Sequence, residues 1–260
     1  MLNKERILDK VRVNASSKQI AIRVIDLASQ VLKKHEPAFS DFISPEDQDV
    51  ALRVLTQIPD VQFSFFGGYP EAEYLMLGLF PDWMMFSDDD FPLAVVDVQM
   101  KVESTHRSVL GSVLGLGIKR EKVGDLIVYD DVVQIVAGEA MADYISVQLR
   151  KVGKHAASAS IVPISDIRPK TPEYDEITAT VKSLRLDAVV ASGFNMSRGK
   201  AVDLIKQERV KVNYRFVSSV SAGLKPGDLI SVRGKGRLIF EGDDGTTRKD
   251  RLRIHLKRVK

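Results

Sequence analysis

The stretch GFNMSRGKAVDLIKQERVKVN, residues 193–213, decides how the chain is read. It comes close to a phosphate-binding loop of the Walker type. That loop needs two glycines four residues apart, then Lys and a magnesium-holding Ser or Thr. Here five residues separate Gly193 from Gly199, Ala201 stands where the hydroxyl belongs, and no run of buried aliphatics leads in. The nucleotide reading fails. What remains is a helix opened by Ser197, with Ala201, Leu204 and Ile205 as an inward stripe and Arg198 and Lys200 in its first turn. The helix dipole disfavours cations there, so an external anion is the better reason for them.

The neighbouring segments extend this into a small basic domain. LRLDAVVASGF (184–194) reads as a short helix ended by Gly193. VKVNYRFV follows as strand and turn, with Lys211 and Arg215 expected to point away from the core side set by Val210 and Val212. GDLISVRGKGRLIFEG adds two strands, and RLRIHLKRV alternates Leu252, Ile254 and Leu256 with Arg251, Arg253, His255 and Lys257. Residues 184–260 hold 18 Lys/Arg against 8 Asp/Glu, while residues 1–183 hold 20 against 27. A net charge of only +3 therefore hides a basic module on a mildly acidic body, the distribution expected for polyanion binding.

Upstream, PISDIRPKTPEYDEITATV (163–181) carries three prolines and six charges and reads as a connector. Before it, PLAVVDVQMKV (92–102) reads as a strand, and Ser104 or Thr105 caps the helix HRSVLGSVLGLG. DLIVYD and VVQIVAG form two strands joined at Asp130-Asp131. EAMADYISVQLRKV is an amphipathic helix and HAASASIVPI a further strand. The order β-α-β-β-α-β is that of ferredoxin-like domains, a topology that hosts unrelated functions. The first block has helical spacing from Lys4 to about Lys34, interrupted near NASS, then a helix opened by Ser44-Pro45. VQFSFF and the residues before Pro81 read as strands around the turn GGYP. The fold class is α+β.

Several chemistries find no support. The chain has no Cys, and His35, His106, His155 and His255 lack metal-ligand spacing, so no metal site or cofactor is expected. SDDDF (87–91) reads as a solvated loop rather than a cation site. No GxSxG elbow occurs, and Gly115-Leu116-Gly117 is followed by Arg120 where a dinucleotide fingerprint needs glycine. No apolar run reaches ~18 residues, and the N-terminus has no signal-peptide core. A cytoplasmic protein without a membrane partner, monomeric when free, is expected.

Residues 184–241 resemble the RNA-binding domain named after ribosomal small-subunit protein four, the S4 domain or αL motif. The resemblance rests on RLD (185–187), SRGKA (197–201), LI (204–205), VKVN (210–213) and KPGDLI (225–230). Glu208 replaces the usual glycine, leaving open whether a positive-φ turn or a relaxed alternative is adopted there. FFGGYPEAE (65–73) and THRSVLGSVLGLGIKREKVGDLIV (105–128) resemble the bacterial YlmH family. Element order, the Pro-rich connector and the two resemblances together lead to the expectation of an N-terminal helical α+β region over 1–85, a ferredoxin-like RNA-binding domain over 86–165, a linker over 166–181 and an S4-type domain over 182–260.

What the resemblance implies is a non-catalytic factor on the large ribosomal subunit, touching ribosomal RNA and tRNA and assisting stalled nascent chains. A link to cell-division loci belongs to the same family picture. The alternatives are an RNA-modifying enzyme, since S4-type domains also occur on pseudouridine synthases and tyrosyl-tRNA synthetases, and a cell-division adaptor. No synthase aspartate motif or HIGH/KMSKS-like segment stands in residues 1–183. The expected RNA contacts in the basic domain are Arg185, Ser197, Arg198, Lys200, Lys206, Arg209, Lys211, Asn213 and Arg215. His106, Arg107, Lys119 and Arg120 form a second candidate set. Arg185 and Arg198 are expected to converge as a phosphate-binding pair. The plain alternative is that Asp187 or Asp203 takes up Arg185 and merely steadies the helices.

Overall fold

The computed structural model describes residues 2–11, 17–100, 105–129, 132–169, 173–247 and 250–259, which form two compact units, residues 1–170 and 171–260. The expected break near NASS, the Ser104 cap and the Asp130-Asp131 turn lie wholly or largely outside the described residues.

In the first unit, helix α2 (Lys18–Lys34) packs on strands β1 (Ala38–Ile43), β2 (Val61–Phe66) and β3 (Leu75–Pro81), and helices α1 (Lys4–Val11) and α3 (Pro45–Leu55) pack against α2. The strands form an antiparallel sheet in the order β1-β3-β2. Helix α2 buries Ala21, Val24, Ile25, Ala28 and Val31, the stripe its spacing dictates. It ends where His35 takes a left-handed φ of 57° and returns its N–H to Val31, a structural use for that histidine. Pro45 opens α3, but Ser44 does not cap it: its hydroxyl donates to Asp47 Oδ2 at 2.9 Å.

The same unit continues with β4 (Leu93–Met100), α4 (His106–Leu114), β5 (Val123–Val128), β6 (Val132–Gly138), α5 (Glu139–Gln148), β7 (Lys151–Val152) and β8 (His155–Val162). The sheet order β5-β6-β4-β8-β7 is the ferredoxin-like arrangement with β7 added at one edge. Thr105 caps α4 by accepting from the Ser108 N–H, and the Ser108 hydroxyl accepts from the Thr105 N–H in return.

Alternation along β4 sends Val96 and Val98 to the helices, where Val109, Val113, Ala142 and Ile145 complete a buried layer. The opposite face is closed too. Leu93 and Val136 join Phe42, Met76, Phe80 and Phe91 from the preceding strands and loop, with Ile164 and Ile167 packed alongside. On that face the buried Gln134 spends its whole amide inside the protein. Its Nε2 donates to Asp97 Oδ1 (3.0 Å) and to the Asp166 carbonyl (3.1 Å), and its Oε1 accepts from the Arg168 N–H (2.9 Å). Sheet-face recognition of RNA in the manner of an RRM is therefore closed off where these groups lie. The boundary expected between 85 and 86 also falls inside one compact unit.

The GGYPEAE loop is fixed by one carboxylate. Asp125 accepts from the Tyr69 hydroxyl (2.8 Å), the Glu73 N–H (2.7 Å) and the Tyr74 N–H (3.1 Å). Burial, then the charge of Asp125, pushes the Tyr69 hydroxyl well above the usual phenol range. A Cβ at Gly67 would stand 2.4 Å from that of Ala72, so this turn closes only on glycine.

The second unit comprises β9 (Tyr174–Val181), α6 (Leu186–Gly193), α7 (Arg198–Lys206), β10 (Val210–Val212), β11 (Arg215–Phe216), β12 (Leu229–Val232), β13 (Gly236–Thr246) and β14 (Leu252–Val259). Its antiparallel sheet runs β11-β10-β12-β13-β14-β9. Ala201, Leu204 and Ile205 of α7, Leu186, Val189 and Val190 of α6, and Leu238, Phe240, Ile254 and Leu256 of the sheet make one core. The linker expected over 166–181 is corrected here. Residues 166–168 pack on the first unit's sheet, and Tyr174–Val181 is a strand paired with β14 along its whole length. Its Ile177, Ala179 and Val181 face the core while Glu176, Thr178 and Thr180 face out, an alternation the nearby prolines hid.

Helix α6 ends at Gly193 as expected, but not through a left-handed glycine. The left-handed residue is Asn195 (φ 49°), and glycine is needed at 193 because an added Cβ would sit 2.3 Å from Leu238 Cδ1. The open question at Glu208 resolves to the positive-φ turn. Glu208 has φ 53°, its N–H reaches the Ile205 carbonyl, and the Arg209 N–H reaches Leu204. That is a Schellman ending, a motif that favours glycine at this position. Glu208→Gly should therefore stabilise the second unit, by about 0.5–1 kcal/mol, because relief of left-handed strain exceeds the extra chain entropy of glycine. Thermal melting of the full chain checks this, and an unchanged or lower Tm would contradict it.

Candidate nucleic-acid interface

The N-termini of α6 and α7 meet at one buried carboxylate. Asp187 lies in the first turn of α6, where the helix dipole favours an acid, and its side chain is only 4% exposed. Arg185 lies at the N-cap of the same helix, with Nε 3.2 Å from Asp187 Oδ1 and Nη2 3.5 Å from Oδ2. Arg198, first residue of α7, brings Nε to 2.8 Å from Oδ2. The Ala188 N–H adds a fourth donor at 3.0 Å. Burial works to raise the Asp187 carboxyl, but the hydrogen bonds and charges of Arg198 and Arg185 outweigh it and hold the group below its ordinary value of 3.8. The partnership in turn raises Arg198.

The two arginines thus converge as expected, and they do so on Asp187, the carboxylate named as the plain alternative. Pairing does not remove them from solvent: the side chains are 40% and 52% exposed. The cluster carries one net positive charge, and each guanidinium keeps N–H donors not directed at Asp187. Beside it, the Ser197 hydroxyl accepts from the Lys200 N–H at 3.3 Å. Lys200 is exposed at the start of α7, and Lys206 at its end, where the dipole itself favours a cation. Six residues apart, the two lysines differ by about 240° around the helix and do not share a face.

Beyond α7 the expected contacts have divided uses. Arg209 is exposed and donates from Nη2 to the Arg233 carbonyl at 3.4 Å. Asn213 is committed to the fold: its Nδ2 donates to Asp228 Oδ1 (2.8 Å), and its Oδ1 accepts from the Leu229 N–H (2.9 Å). Asn213 and Tyr214 both have positive φ, as in a two-residue type I′ hairpin turn. Such a turn places Val212 opposite Arg215 and Lys211 opposite Phe216. Facing residues share a side of the sheet, so the expectation that Lys211 and Arg215 point the same way is corrected. Phe216 is the side chain beside Lys211, whose Nζ lies 4.5 Å from the ring centre.

The basic face of β14 is largely paired across the sheet. Lys257 meets Glu241 at 2.5 Å and His255 meets Asp244 at 2.6 Å on that face, while Arg258, on the side of Ile254 and Leu256, meets Asp175 at 3.0 Å.

The second candidate set is divided between the two ends of α4. His106 and Arg107 are exposed at the start of α4, while Lys119 and Arg120 follow its far end, about 13 Å along the axis. Arg120 stacks its guanidinium 3.7 Å from the Tyr74 ring centre and donates to the Val123 carbonyl, so it is held within the fold. Lys119 remains exposed. Among the described residues, no group of three or more acidic or His side chains could hold a metal, and no helix is long and apolar enough to cross a membrane.

Comparison with known proteins bears on the same segments. Residues 16–82 match the family model "YlmH, N-terminal", residues 87–166 match "Putative RNA-binding domain in YlmH", and residues 184–230 match "S4 domain". The chain is 36% identical over 233 residues to "Ribosome-associated protein quality control protein P2" of Bacillus subtilis (strain 168), covering 88% of this chain and 90% of that protein. A solved structure, "Cell division protein ylmH from Streptococcus pneumoniae", aligns with a TM-score of 0.54 at 19% identity. It covers 59% of this chain and 95% of its own, a likeness of fold.

Proposed function

The chain belongs to the YlmH family, and from that membership we propose that it is a non-catalytic factor docking on structured RNA of the large ribosomal subunit. RNA binding is the coarse role the matched domains carry. The finer reading is that the protein holds ribosomal RNA, and a tRNA with it, on particles whose nascent chain has stalled. The relative named for ribosome-associated quality control supports that reading.

The observation that carries it here is the Arg185–Asp187–Arg198 cluster, which lies within the segment matched to the S4 domain. A buried carboxylate orients two half-exposed guanidinia, so their forks are fixed before any ligand arrives. Pre-set geometry of this kind suits a phosphate backbone, where contacts position the protein and the shape of the RNA supplies selectivity. An active centre would need a nucleophile, an acid or a base facing a cleft, and the cluster offers only charge and donors.

Co-sedimentation of the full chain with purified large subunits at stepped salt is the test. With about five to eight phosphate contacts, log affinity should fall linearly with log salt at a slope near −4 to −6. A flat dependence, or binding that survives nuclease digestion of the particle, would assign docking to protein surfaces instead.

A further inference from the structure

The sheet of the second unit carries a row of side chains on the side away from its helices. Phe216 stands opposite Lys211, Lys211 opposite Ser231, and Ser231 opposite Arg237, across four adjacent strands. Their strand neighbours Val210, Ile230 and Leu238 are buried in the core with α6 and α7, so this row faces the other way. The row floors a groove of about 400 Å³, bordered by Arg209 and Arg233. Arg209, Lys211, Arg233 and Arg237 face it, against Glu208 as the one carboxylate.

Phe216 is 57% exposed, with the Lys211 ammonium over its ring. An aromatic left open in a cationic groove calls for a ligand with a flat apolar face and negative charge beside it. An unpaired nucleotide has both. A duplex does not, because its base faces are already stacked.

We propose that this groove takes one unpaired nucleotide of RNA, with the base stacked on Phe216 and its flanking phosphates on Arg209, Arg233 and Arg237. The proposal rests on the RNA-binding reading above and adds a second contact, on different elements from the Arg185–Arg198 cluster. Stacking on aromatics tolerates any base, so the groove would select for single-strandedness rather than sequence.

The test uses the full chain and an RNA of about twelve nucleotides with 2-aminopurine at its centre, offered single-stranded and as a blunt duplex. Wild type should quench the probe in the single strand. Phe216→Ala should abolish quenching and weaken single-strand binding by about 5- to 100-fold while leaving duplex binding and the salt slope unchanged. Phe216→Trp should restore both binding and quenching. Arg233→Gln should reduce the salt slope by about one. Unchanged single-strand binding by Phe216→Ala would overturn the groove, as would an equal loss on duplex. Capture of an acidic peptide with no quenching of the RNA probe would overturn it as well. If wild type binds neither RNA, the RNA-binding reading falls with it. If wild type binds both and Phe216→Ala changes nothing, the groove alone falls.

Discussion

The Arg185→Ala, Arg198→Ala double variant is expected to lose about 10- to 100-fold in affinity for large ribosomal subunits, with the salt slope reduced by about one to two. The loss comes with a second effect that sequence reasoning did not anticipate. Asp187 is buried, and the two guanidinia are what keep its carboxylate ionised there. Without them it keeps only the Ala188 N–H, at a penalty of about 1–3 kcal/mol, and the second unit should melt earlier. The pH dependence also changes. In the wild type the folded carboxyl lies below its ordinary value of 3.8, so its contribution is full above that pH and is lost as pH falls through the depressed value. In the double variant that acid-side loss should be smaller, because burial opposes the charge and only the Ala188 N–H and the helix dipole still favour it. The triple variant with Asp187→Asn separates fold from binding: melting should recover and docking should not. Docking retained by the double variant would sink the phosphate role. Docking regained in the triple variant would show that the loss came from misfolding.

Cutting the chain on either side of β9 should give opposite outcomes. A fragment of residues 173–260 keeps the strand that pairs with β14 from Leu252–Val181 to Val259–Tyr174, and should fold and bind RNA alone. A fragment of residues 182–260 uncovers the backbone of β14 and one flank of the core around Ile254 and Leu256. Open edges of that length template association, so this fragment should be poorly soluble and lose most of its two-state transition. Sedimentation velocity and thermal melting of the two fragments decide the matter. Equal stability would mean that Tyr174–Val181 is a tether after all.

Why some elements were legible follows from their physics. Helix α7 announced itself because Ser197, Ala201, Leu204 and Ile205 meet cap and stripe at helical spacing, and β14 because Leu252, Ile254 and Leu256 alternate without interruption. Strand β1 (AFSDFI) was not legible: its register slips between Phe39 and Phe42, and Ser40 turns its hydroxyl to accept the Leu77 N–H, so no period of two survives. Edge strand β9 mixes Ala and Thr with charges beside a Pro-rich run, a composition a connector shares. The site divides in the same way. Arg185 and Arg198 were visible as cations near helix starts, but the burial of Asp187 depends on a residue eleven positions away on another helix. Phe216 was missed because a turn of two residues inverts the parity that counting along one strand suggests.

Pairing of β9 with β14 also dictates when the second unit can be completed. The partners are 71 residues apart at Leu252–Val181 and 85 apart at Val259–Tyr174, with both helices and four strands between them. Contacts of such long separation pay their loop entropy early and return stability late. During synthesis the intervening helices can form as they emerge, yet the sheet stays unclosed until residues 252–259 have cleared the ribosomal tunnel. The RNA-binding surface proposed on α6 and α7 can thus form before the frame that holds it shut, and a growing chain of this protein would spend that interval in contact range of ribosomal RNA with its last strand still missing.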